Sequence, residues 1–136
     1  EFLAELRKLR ETAETTTDPV GEFKKGEALL KAGSYQDSVK SFSLFLKNPR
    51  PELVDEATFM RGEAFFKLKN HSKAILDFSK VHETWPKSTR APQALLRIGQ
   101  SFEAMGSAAE AKEFFRLLQQ KYPKSPEAKK TRKKIK

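Results

Sequence analysis

Between residues 56 and 86, two apolar patterns of helical spacing meet at Asn70-His71. Moved 37 residues along the chain, the same skeleton returns: Gly62, Phe65, Ala74, Phe78 and Pro86 become Gly99, Phe102, Ala111, Phe115 and Pro123. Moved back by 36 it appears a third time, at Gly26, Leu29, Ser38 and Phe42, followed by a break at Pro49 and Pro51. Self-similarity at that period marks a helical repeat array in which each unit is a pair of helices.

The pattern predicts three helix pairs. Asp18-Pro19 supplies an N-cap with proline in the first helical position, opening a helix that runs to Ala32 and stops at Gly33 in a left-handed cap. Its partner covers about residues 35–47, with Val39, Phe42, Phe45 and Leu46 on one side, and Asn48-Pro49-Arg50-Pro51 breaks the chain. The second pair is expected at about 52–68 and 72–84, joined at Lys69-Asn70-His71, and the third at about 89–105 and 108–121, turning at Gly106. Ser88 is placed to cap the third pair, and Pro92 falls in its first turn, where a missing N–H costs little. Such short connections make paired helices antiparallel neighbours. Ser125-Pro126-Glu127 restarts a helix with only Ala128 and Ile135 to bury, as expected of a cap on the open end of a stack. Ahead of the array, Phe2, Leu6, Leu9 and Ala13 form a heptad-like stripe, expected either to pair in a coiled coil or to fold back on the first repeat. A Thr-rich linker over residues 14–17 follows it.

The order Gly, aromatic, Ala, Phe, Pro is the tetratricopeptide repeat (TPR) pattern. The expected fold is all-α: a right-handed superhelix of three helical hairpins over residues 18–124, with units at about 19–51, 52–88 and 89–124. A flanking N-terminal helix and linker occupy residues 1–17, and a basic capping helix residues 125–136. Gly62 and Gly99 sit mid-helix, where glycine costs about 1 kcal/mol against alanine. They are expected where a neighbouring helix backbone comes close, with Ala74 and Ala111 as the matching small contacts. Phe65, Phe78, Phe102 and Phe115 are expected to fill the space between successive hairpins.

In such an array the first helix of each pair lines a concave face. One step beyond the packing stripe, these helices carry Phe23, Glu27, Leu30 and Lys31; then Phe59, Glu63, Phe66 and Lys67; then Leu96, Gln100 and Glu103. The expected groove is a ladder of Phe23, Phe59 and Leu96 flanked by Glu27, Glu63 and Glu103. An apolar strip with a charged rim grips a helix or an extended peptide, here an apolar and mildly basic one. Rotating the assignment by one position would instead put Phe23 and Phe59 in the core.

Composition changes this picture little. The 136 residues fit one domain, and the absence of cysteine excludes disulfides, thiolate catalysis and cysteine zinc sites. No apolar run approaches the roughly 20 residues of a membrane span. The chain opens on Glu rather than Met, as expected of a fragment or a mature form. Its net charge of +9 is concentrated at the end: residues 121–136 hold eight Lys or Arg against one Glu. The body is nearly neutral, so nucleic-acid binding is not expected of it, and the tail reads first as a solubilising surface. The two histidines, His71 and His82, stand apart with no second ligand four residues away, and no Gly-rich phosphate loop is present. Glu110 and Glu113 lie beside Lys112 and Arg116 as solvating ion pairs. No catalytic set, metal site or cofactor is expected.

Several stretches resemble one TPR family. They are Gly62-Glu63-Ala64-Phe65-Phe66, Ala91-Pro92-Gln93-Ala94-Leu95-Leu96-Arg97-Ile98-Gly99, Tyr35-Gln36, Phe45-Leu46, Trp85-Pro86-Lys87-Ser88 and Tyr122-Pro123-Lys124-Ser125. Over about residues 20–128 the chain is similar to the C-terminal domain of the CpoB/YbgF family, periplasmic cell-division coordinators associated with the Tol-Pal system. The family closes its repeats with YPxS, where the first unit here has Asn48-Pro49-Arg50-Pro51. The resemblance implies a periplasmic, noncatalytic adaptor that binds an envelope protein such as TolA and couples Tol-Pal to cell-wall synthesis during division. It also implies homo-oligomerisation through an N-terminal coiled coil. Related elements recur in BamD-like scaffold subunits of outer-membrane protein assembly, which gives a second reading; anionic-surface binding through the basic tail gives a third.

Overall fold

The computed structural model describes residues 2–7 and 18–135. Within the heptad-like stripe, Phe2 and Leu6 fall on a helical segment and stand in solvent, whereas Leu9, Ala13 and the linker lie outside the described residues. No strand occurs among the described residues, and none of their helices is long and apolar enough to cross a membrane.

The array opens with α1 (Pro19–Lys31), where the Asp18 carboxylate accepts the Val20 N–H at 3.2 Å and proline takes the first position. Gly33, at φ +83°, turns the chain into α2 (Tyr35–Lys47). A short 3-10 turn, Pro51–Leu53, delays α3 to Val54–Lys67, two residues later than the pattern suggested. Lys69 takes the left-handed position at φ 63° that glycine holds in the other two hairpins, and Asn70 caps α4 (His71–Thr84). The Ser88 hydroxyl accepts the Arg90 N–H at 3.1 Å, and α5 runs from Ala91 to Ala104. Gly106, at φ +79°, leads into α6 (Ala108–Lys121). Finally Ser125 caps the short α7 (Pro126–Thr131), and a 3-10 turn continues over Arg132–Ile135.

Each helix from α1 to α6 packs on the one that follows it, and α7 closes over α5 and α6, burying Ala128 and Thr131. The interior forms two clusters. A smaller one gathers Phe23, Phe42, Phe45 and Ala57; a larger one gathers Phe59, Phe78, Val81, Leu95, Ile98 and Leu118, and Met60 touches both.

The repeat glycines have a different partner from the one expected. A Cβ on Gly62 would lie 2.8 Å from Cε1 of Phe78, and one on Gly26 would lie 2.8 Å from Cε1 of Phe42. Gly99 is closer still to Phe115. The missing side chain thus admits an aromatic ring from the second helix of the same hairpin rather than a neighbouring backbone. Phe42, Phe78 and Phe115 are fully buried there. By contrast Phe65 and Phe102 are only partly buried, packed against the edge of the larger cluster. Phe65 lies beneath Arg61 and Lys73, and Phe102 stacks on Phe114 at 5.5 Å.

Candidate functional cleft

Helices α3 and α5 and the C-terminal turn enclose a cleft of about 390 Å³. Phe59 and Glu63 come from α3; Arg90, just ahead of α5, and Gln93, Leu96, Arg97 and Gln100 of α5 continue the surface. The opposite wall is Glu127, Lys130, Thr131 and Lys134. Two cations of the basic tail, Lys130 and Lys134, thus line the cleft, while Lys129, Arg132 and Lys133 lie outside it, exposed to solvent.

A seven-residue spacing on each helix organises its charges. Glu56 and Glu63 lie two turns apart on one face of α3, and Arg90 and Arg97 stand 34 residues further on in each case. Arg90 forks onto Glu56, with Nη2 at 2.6 Å from Oε1 and Nε at 3.0 Å from Oε2. Arg97 forks onto Glu63, with Nη2 at 3.0 Å from Oε2 and Nε on Oε1. Both guanidinium groups also lie over an aromatic ring of α3, 4.8 Å from the centre of Phe59 and 4.6 Å from that of Phe66. The remaining Nη1 of each donates to a glutamine three residues along, Gln93 at 2.8 Å and Gln100 at 3.0 Å. The hydrogen bonds it donates to Glu56 hold the Arg90 guanidinium above its ordinary pKa, against the opposing effect of burial. At the far end Lys134 reaches both oxygens of Glu103 at 3.0 Å.

Four of the residues expected to line a groove meet here: Phe59, Glu63, Leu96 and Gln100. Of the expected apolar ladder only Leu96 stands partly exposed. Phe23 and Phe59 are 6% and 4% exposed, because their rings turn into their own hairpins, Phe23 onto Phe42 and Phe45 and Phe59 onto Phe78. The acids do not form an open rim either, since Glu63 and Glu103 are bonded to cations of the following unit. Phe66 is covered by Arg97 and meets His71 edge-on at 5.5 Å. Glu27, Leu30 and Lys31 on α1, and Lys67 on α3, lie outside the cleft. Sequence reasoning missed Arg90, Gln93, Arg97 and the whole tail wall. The available signal was the recurrence of Glu then Arg at 34 residues, twice and seven residues apart.

Stacked antiparallel helix pairs with a cleft on the first-helix face define a helical-repeat interaction module. Two models, each described as tetratricopeptide repeat, match residues 23–89 and 93–125, and the chain is a tetratricopeptide-repeat domain. The Arabidopsis OM64 TPR domain is similar to it at 24% identity and TM-score 0.71, over 86% of this chain and 93% of that one. The second TPR domain of human RPAP3, solved in complex with the HSP70 peptide SGPTIEEVD, is similar at 19% identity and TM-score 0.70, over 85% and 92%. At these identities the likeness is one of fold. No curated protein matches the chain by sequence.

Proposed function

We propose that this domain is a noncatalytic protein–protein interaction adaptor of the bacterial cell envelope, and that it takes a segment of its partner into the cleft between α3, α5 and the C-terminal turn. The observation that carries the reading is the cleft itself: side chains of two hairpins and the cap converge on one concave surface and are locked there by forked ion pairs before any ligand arrives. The RPAP3 domain, which shares the fold, binds a peptide. The periplasmic location, the link between Tol-Pal and cell-wall synthesis, and TolA as partner rest on the resemblance of the repeat motifs.

The test is a chemical-shift titration of the domain with the soluble periplasmic part of TolA. Shifts centred on Phe59, Glu63, Leu96 and Gln100 are expected. Shifts confined to the outward-facing Lys129 and Lys133, or none at millimolar partner, would refute the reading.

A further inference from the structure

The two cleft arginines orient more than the glutamates. A guanidinium only donates, so the amides of Gln93 and Gln100, 2.8 Å and 3.0 Å from Nη1 of Arg90 and Arg97, must turn their oxygens toward it. Their NH2 groups are thereby turned away from the arginines, on residues that line the cleft. Each arginine is itself fixed by a glutamate fork and an aromatic face, so the amides are oriented before a ligand binds. Leu96 stands between them, partly exposed.

We propose that Gln93 and Gln100 are preset amide donors that read main-chain carbonyls of an extended peptide, with an apolar side chain of that peptide seated on Leu96. This rests on the reading of the cleft as a partner site and specifies the partner's conformation. The two glutamines are seven residues apart, about 10.5 Å along α5. In a polyproline-II chain a carbonyl recurs on the same face every third residue, about 9.3 Å, and has no internal hydrogen bond. A helical partner offers no such acceptors, because its interior carbonyls are bonded to its own N–H groups. Charge is secondary in this recognition. Glu56 and Glu63 neutralise the two arginines and Glu103 neutralises Lys134, so affinity falls little as salt is raised.

The probe is a set of nine-residue peptides selected from a randomised library on the whole chain and located by shifts of the Gln93 and Gln100 side-chain amides. The variants Gln93→Glu and Gln100→Glu keep an oxygen on the arginine but replace the free NH2 by an acceptor; a thermal melt checks that they fold. Each is expected to weaken a selected peptide about tenfold. A peptide carrying an ester in place of the contacted amide has a weaker carbonyl acceptor. It should bind the native chain less well than its parent, yet bind the double variant no differently. Peptides that occupy the cleft with equal affinity for native chain and double variant overturn the donor assignment and leave the partner site standing. A library that yields no cleft-bound peptide overturns both.

Discussion

Gly62→Ala isolates the contact that sets the spacing within a hairpin. In mid-helix, alanine is favoured over glycine by about 1 kcal/mol, so propensity alone makes the substitution stabilising. The structure opposes this. The new Cβ would lie 2.8, 3.0 and 3.1 Å from Cε1, Cδ1 and Cζ of Phe78, where carbon pairs settle near 3.5–4.0 Å. The ring has nowhere to retreat, being fully buried and packed on Phe59 at 5.4 Å. Overpacking of this kind costs about 1–3 kcal/mol, which leaves a net loss between about 0 and 2 kcal/mol. Gly21→Ala is the internal control. It lies in the first turn of α1, exposed, and its Cβ would meet Asp18 Cβ at an ordinary 3.6 Å, so it should gain stability, by up to about 1 kcal/mol.

Urea unfolding followed by far-UV circular dichroism, with unchanged slopes as the check on cooperativity, gives both values. The decisive arm is the same substitution in a Phe78→Leu background. Leucine lacks the ring atoms that crowd position 62, so Gly62→Ala should there turn from destabilising to stabilising, a coupling of about 1–3 kcal/mol. If Gly62→Ala raises stability as Gly21→Ala does, or if the two changes at 62 and 78 are additive, the ring is not the reason for the glycine.

Asp77 is 5% exposed and forks onto Arg61 at 2.7 and 2.9 Å, so Asp77→Ala strands a half-buried guanidinium and should cost about 2–4 kcal/mol by chemical denaturation. The Tyr122 hydroxyl donates to the Pro86 carbonyl and ties two successive turns together, so Tyr122→Phe should lose about 0.5–1.5 kcal/mol in the same assay while leaving the helix content unchanged. Burial first, and then the charge of Lys121, lower the pKa of His82 below its ordinary value. The unfolded chain therefore binds the proton more readily, and stability is full above about pH 6.5 and falls as pH drops through that value toward the lower folded one. Thermal melts at pH 7.5 and 5.5 should show this decline reduced in His82→Gln, and an equal decline in both proteins would count against the assignment.

The periodic skeleton was legible because each of its members answers a local or one-hairpin constraint. Asp18-Pro19, Gly33 and Gly106 act through backbone geometry alone, and the six main helices follow. The delayed start of α3 comes from Pro51, which the break announced without saying that a 3-10 turn would absorb the next residues. Lys69 shows the opposite limit, since nothing in a lysine signals φ 63°; the hairpin geometry imposes it where its counterparts have glycine. The rotation of the first helices was harder. Glu22, Phe23, Gly26 and Glu27 all fall on one broad side of α1, and only the placement of Phe42 and Phe45 decides that Phe23 turns inward. The cleft was the least legible part. Arg90 and Glu56 are unremarkable members of a chain that is one-third charged, and their pairing exists only once two hairpins stack in register.

That register is held differently at the two junctions of the array, which explains where the cleft lies. Between the second and third hairpins, two arginine forks and two cation–ring contacts fix α5 against α3. One repeat earlier, the places of Arg90 and Arg97 are taken by Leu53 and Met60, both packed on the smaller apolar cluster. An apolar junction is non-directional, whereas a bidentate fork fixes orientation as well as distance. The charged junction thus keeps polar side chains at the surface in a set geometry, while the apolar one lays Leu53 and Met60, both partly buried, against the smaller cluster. The cleft accordingly begins at Phe59 and runs toward the C-terminal turn instead of extending over α1. On the reading proposed above, the side chains that meet a partner come from the second and third repeats and the cap, and the first repeat holds α3 in place.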